Sequence, residues 1–105
     1  MSLKEKNKDT LLCEYLEKYC KGQENAVSSK TLEAVFYLKN RDIRYIINRL
    51  RSNGKAICSD QKGYYYAETK DDVNRTISQL NNRIVKITKA KNGLENSLHQ
   101  SNIKE

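Results

Sequence analysis

Seven basic side chains, Lys39, Arg41, Arg44, Arg49, Arg51, Lys55 and Lys62, fall within 24 residues that hold only two acidic ones, Asp42 and Asp60. Arginine dominates residues 41–51. Its planar guanidinium offers a fixed fork of donors that bridges phosphate oxygens or the O6/N7 edge of guanine, where lysine presents only a point charge. Asn48, one turn beyond Arg44, suits the N6/N7 edge of adenine. The chemistry on offer is recognition of a polyanion, not bond breaking. No Ser/His/Asp set and no glycine-rich phosphate loop occur, the single histidine is His99, and the neighbouring carboxylates Asp71 and Asp72 are explained by a helix N-terminus. No catalytic residue, no enzyme activity and no cofactor are expected. Cys13, Cys20 and Cys58 are odd in number and far from His99, so they read as buried free thiols; neither a disulfide framework nor a metal site is expected.

Composition agrees. The 105 residues carry 20 Lys and Arg against 13 Asp and Glu, a net charge of +7 that favours polyanionic partners. With 37% apolar residues, no Trp and one Phe, the chain holds one small core and seven Tyr as its aromatic material, which argues against deep substrate pockets. No apolar run approaches the ~18 residues of a membrane span, and no apolar segment follows the lysines of the N-terminus, so a soluble, cytoplasmic chain without a membrane partner is expected.

The elements that must position these residues follow from periodicity. Residues 1–8 have no apolar period and read as a disordered basic arm. Leu11, Leu12, Tyr15, Leu16, Tyr19 and Cys20 recur at helical spacing, predicting helix one over 10–21 with Asp9 or Thr10 as cap and Gly22 as stop. Ser28 and Ser29 can cap helix two, 30–37, burying Leu32, Val35 and Phe36. After a tight turn, Asn40 caps helix three, 41–53, with Ile43, Ile46, Ile47 and Leu50 as one apolar stripe and Gly54 as stop. The period then changes to two. Residues 56–59 and 64–67 flank a polar turn ending in Gly63, predicting a hairpin with Ile57, Tyr64 and Tyr66 inward and Tyr65 outward. Thr69 and Asp72 form a capping-box pattern that starts a long helix four near Lys70. The organisation expected is an arm (1–8), a globular domain (9–69), a long C-terminal helix (70–98) and a disordered tail (99–105).

The order helix, short β segment, helix, tight turn, helix, two-stranded hairpin over residues 10–67 resembles the winged helix-turn-helix family. Its most specific stretch runs from Asn40 through Gly54 into Gly63-Tyr64-Tyr65-Tyr66-Ala67. The glycine-tyrosine pair opening the last strand is similar to that of biotin-repressor-like winged helices and of small phage or prophage DNA-binding proteins of Gram-positive bacteria. The resemblance covers a little over half the chain. It implies a mainly α fold with a small β-hairpin wing, a third helix entering the major groove of double-stranded DNA, and a role in transcription regulation or DNA replication of phage or mobile-element type.

On that resemblance Arg41, Arg44, Tyr45 and Asn48 are candidate base contacts, and Arg49, Arg51 and Lys55 candidate phosphate contacts. Ser29, Lys39 and the hairpin-tip residues Gln61 and Lys62 complete the candidate DNA surface. Tyr45 reads equally as a half-buried shelf over helix two, and Asp42 as a dipole partner of the helix N-terminus. A stacking platform for single strands is not expected, because alternation leaves only Tyr65 outward. In helix four Val73, Ile77, Leu80, Ile84, Ile87, Lys91, Leu94 and Leu98 alternate by four and three, a coiled-coil pattern with one polar a position, Lys91. It predicts a homodimer through Ile77, Leu80, Ile84, Ile87, Lys91, Leu94 and Leu98; the competing expectation folds residues 73–87 back on helix one. A protein-interaction adaptor or phage-encoded inhibitor, using the same scaffold and long helix to bind a protein partner, is the alternative function.

Overall fold

In the computed structural model, which describes residues 7–100 and 102–105, four α-helices surround one antiparallel hairpin. The expected N-terminal arm falls almost wholly outside the described residues. The helix that follows it begins earlier than the apolar period suggested. Helix α1 is Lys8–Tyr19, because the Asn7 side chain accepts from the Thr10 N–H at 2.9 Å and so takes the capping role expected of Asp9 or Thr10. Helix α2, Ser29–Phe36, is capped by Ser28; helix α3, Asn40–Ser52, has the expected cap Asn40 as its first residue instead and follows Lys39, whose side chain makes no capping bond. The cap of α3 is reinforced by Asp42, whose carboxylate accepts from the Lys39 N–H at 3.3 Å, the N-terminal role expected of it. Each of these helices starts a residue or two before its expected first turn, with Asn7 and Ser28 supplying the capping oxygens of α1 and α2.

The three helices close on Leu12, Cys13, Leu16, Cys20, Leu32, Ile43, Ile46, Ile47 and Leu50, with Ile57 of the hairpin sealing the cluster. The whole predicted stripe of α3 is buried here. Val35 corrects the expectation for α2: it is exposed, and only Leu32 of that helix is fully buried, because eight residues present little more than one side chain to the core per turn. All three cysteines are buried free thiols. Tyr37 supplies the left-handed residue (φ 55°) that turns α2 into α3.

The hairpin pairs β1 (Ile57–Ser59) with β2 (Tyr64–Tyr66), Cys58 opposite Tyr65. On its other side β2 exchanges bonds with the α1–α2 connection. Val27 and Tyr64 donate to each other's carbonyls at 2.8 Å, and the Tyr66 N–H donates to the Cys20 carbonyl at 2.8 Å. The short β segment expected before α2 is this pair of single-residue bridges around a 3-10 turn, Gln23–Asn25.

The inward set of the hairpin is where the expectation fails. Tyr65 is 1% exposed, whereas Tyr64 and Tyr66 are half-buried against the helical core. Alternation is preserved, but both faces are covered, because α4 (Lys70–Ser97) lies over the face that would otherwise be solvent. The same contact corrects the competing expectation for α4: its first half packs on β1, not on α1. Its start is the predicted capping box, with Thr69 Oγ1 accepting from the Asp72 N–H and the Asp72 carboxylate accepting from the N–H groups of Glu68 and Thr69. Arg75 pairs with Asp72 and lies beside the Tyr65 hydroxyl. Thr76 Oγ1 accepts the Ser59 N–H at 3.3 Å, and the Arg51 guanidinium donates to the Ile57 carbonyl at 2.8 Å, so the outward backbone groups of β1 are satisfied by two helices. No helix among the described residues is long and apolar enough to cross a membrane.

Gly63 marks the closest approach in the sheet. Its φ is +144°, and a Cβ there would lie 2.0 Å from the Val27 carbonyl oxygen. Gly63→Ala should therefore destabilise by at least ~2 kcal/mol in urea unfolding. Gly54→Ala, with positive φ but open space, should cost about 1 kcal/mol.

Candidate nucleic-acid interface

Helix α3 exposes Arg41, Arg44, Tyr45 and Asn48 on one side because its opposite stripe is buried. With Ile47, Arg51 and Tyr64 they line an open cleft of about 350 Å³ between α3 and the hairpin. A second cleft, of about 430 Å³, continues past Arg51 and Tyr64 to Ser29, Lys30, Gln61, Lys62 and Arg83. The two share Arg51 and Tyr64, so they form one surface running from the start of α3, past the hairpin tip, to the middle of α4. Its charges are Arg41, Arg44, Arg51, Lys30, Lys62 and Arg83 against Asp60. That one carboxylate is engaged by Gln23 Nε2 at 2.8 Å and by the N–H groups of Lys62 and Gly63, which hold the hairpin tip in shape.

The structure sorts the candidate residues. Tyr45 is 60% exposed, so it is a surface ring and not the shelf over α2. Ser29 Oγ bonds Asn40 Oδ1 and ties the start of α2 to the start of α3. Lys39 is exposed at the turn between them. Gln61 and Lys62 are exposed at the hairpin tip. Arg49 points elsewhere: its guanidinium grips the Asp9 carboxylate at 2.8 and 2.9 Å and braces α3 against α1. Lys55 lies beside the groove between α4 and β1, away from both basic clefts. Arg51 lines the surface but is spent on β1, bonding the Ile57 carbonyl and Ser59 Oγ; burial lowers its pKa.

Lys30 and Arg83 were not among the expected contacts. Lys30 follows Ser29 at the start of α2. Arg83 comes beside the hairpin only because α4 lies across it, and nothing in the spacing of helix four signals that.

The α4 stripe divides in two. Val73 and Leu80 are partly covered and, with Ile77, Thr76 and the β1 residues Ala56, Ile57 and Cys58, line an apolar groove of about 320 Å³. Ile84, Ile87, Leu94 and Leu98 are 59–73% exposed. Among the described residues no cluster of His, Cys, Asp or Glu could hold a metal ion. No family model, curated protein or solved structure matches the chain.

Two carboxylates that hold these elements together carry lowered pKa values, Asp9 through its hydrogen bonds with Arg49 and Asp72 through the Glu68 and Thr69 N–H groups. An unfolded Asp binds its proton near ~3.9. Their stabilisation is thus complete above that pH and is lost as pH falls through the lower folded values. Urea midpoints measured downward from pH 5 should fall, and Asp9→Asn should lower the midpoint at pH 6 while flattening that fall.

Proposed function

We propose that this chain is a winged helix-turn-helix protein that binds double-stranded DNA sequence-specifically, as a homodimer joined through α4. A role as a transcriptional regulator or replication-associated factor of phage or mobile-element type follows from the resemblance in element order. The observation that carries the proposal is the continuous basic surface shared by α3, the hairpin tip and Arg83. On this reading α3 enters the major groove, with Arg41, Arg44, Tyr45 and Asn48 toward base edges. Lys30, Lys39, Lys62 and Arg83 hold phosphates on either side, Gln61 follows the backbone at the tip, and Ser29 positions the start of α3. Arg49 and Lys55 leave the contact set, and Arg51 serves by bracing the hairpin. The exposed half of the α4 stripe is a large apolar patch for so small a chain, and a second copy is its simplest cover.

A protein-binding adaptor is the second reading, favoured by a separate exposed patch on α1 and α2 that includes Leu11, Tyr19 and Val35. A salt series separates the two. About four phosphate contacts predict a log–log slope of about −3 to −4 and a large ratio of specific to random duplex binding, whereas an adaptor predicts neither. In anisotropy titrations Arg44→Ala should cost roughly 1–3 kcal/mol and relax preference at one base position. Lys62→Ala and Arg83→Ala should weaken all sequences alike, and Arg49→Gln should leave affinity unchanged. Parent-like binding by both Arg44→Ala and Lys62→Ala would show that the face is misplaced. Ending the chain after Val85 should give a folded monomer that binds a half-site weakly.

A further inference from the structure

The spacing of the α4 stripe reads the same in both directions. Its positions, 73, 77, 80, 84, 87, 91, 94 and 98, step by four, three, four, three, four, three and four. A stripe with palindromic spacing is self-complementary under a two-fold axis, so two such helices laid head to tail meet in every layer. We propose, resting on the dimeric reading above, that the dimer is antiparallel, the exposed half of each α4 lying in the apolar groove beside the first half of its partner. Each helix pairs Val73 with Leu98, Ile77 with Leu94, Leu80 with Lys91 and Ile84 with Ile87 of the second copy.

Charge decides against the parallel alternative. A parallel pair packs Lys91 against Lys91 of the second copy inside an apolar seam, two like charges facing each other with only the Glu95 of each one's own helix nearby. Head to tail, Lys91 meets Leu80 and lies about 16 Å along the axis from its counterpart, at 1.5 Å per residue. Its methylenes cover Leu80 while the ammonium stays with Glu95 of its own helix, at 3.4 Å.

Side-chain size supports the same arrangement. The groove is bounded toward the hairpin by Thr76, and the flank of the incoming helix facing Thr76 carries Ala90 and Ser97, small enough for close approach. The groove and the exposed stripe are consecutive stretches of one helix, so each copy supplies the seat for the other and the interface closes at two. The globular domains then sit at opposite ends of the pair, about 30 Å apart along it, close to one turn of B-DNA.

Disulfide trapping of the full-length chain tests the orientation, since the native thiols Cys13, Cys20 and Cys58 are at most 8% exposed. Under mild oxidation Leu94→Cys alone should remain uncrosslinked, and Ile77→Cys combined with Leu94→Cys should form a covalent dimer, Lys91 being kept in both variants. A spin label at Asn96→Cys, an exposed position outside the seam, should report a separation of about 30 Å or more between copies, against less than ~20 Å for a parallel pair. Crosslinking of Leu94→Cys alone, or the short spin distance, overturns the antiparallel arrangement and leaves the dimer standing. Sedimentation of the parent chain as a monomer at micromolar concentration overturns the dimer itself.

Discussion

Burial of Tyr65 between the hairpin and α4 is the contact on which the other arrangements depend. The ring occupies the face of β2 opposite the helical core, beside Cys58, and its hydroxyl lies beside Arg75, which is in turn held by Asp72 at the first turn of α4. A tyrosine in that position needs both an apolar cover and a partner for its oxygen, and the start of α4 provides the two together. Burial raises the pKa of Tyr65, so the phenol remains neutral in its ordinary role.

From this contact the hairpin gains a third layer. Its helical side carries Ile57, Tyr64 and Tyr66 on the α1–α3 core, and its outer side carries Cys58 and Tyr65 under α4. A two-stranded hairpin is marginal alone, and here every edge is occupied: β2 by Val27 and Cys20, β1 by Thr76 and Arg51. The direction of α4 is fixed as well. Its 28 residues extend about 42 Å at 1.5 Å per residue, so a helix anchored at its first turns must leave the domain, and the molecule measures 61 × 34 × 23 Å. The result is one basic surface that includes Arg83 and one apolar helix that projects from it.

Arginine serves three ends in this small chain. Arg49 and Arg51 are engaged by other elements, the exposed Arg49 by Asp9 and Arg51 by the edge of β1, while Arg41 and Arg44 of the same helix line the open cleft. The guanidinium fork suits all of these tasks, being able to hold a carboxylate bidentately, cap a carbonyl, or face a phosphate. Position on the helix decides which: Arg49 projects toward α1, and Arg51, the penultimate residue of α3, is within reach of the strand that follows.

Local pattern was enough to determine the order of elements, the α3 stripe, the buried thiols, the Gly63 turn and the capping box of Thr69 and Asp72, because each depends on residues within a few positions of one another. It was also enough to mark Arg41, Arg44 and Asn48 as exposed and α4 as longer than its domain. The outward placement of Tyr65 did not survive, and Arg49 and Arg51, which the sequence groups with Arg41 and Arg44, are engaged by Asp9 and by β1, for a shared reason. Alternation tells which side chains share a face, but not which face is covered, and a run of arginines tells nothing of a carboxylate 40 positions away. Those outcomes, with the arrival of Arg83 at the hairpin, were decided by where α4 docks, a contact between segments distant in sequence whose energy lies in area and geometry that no local pattern records.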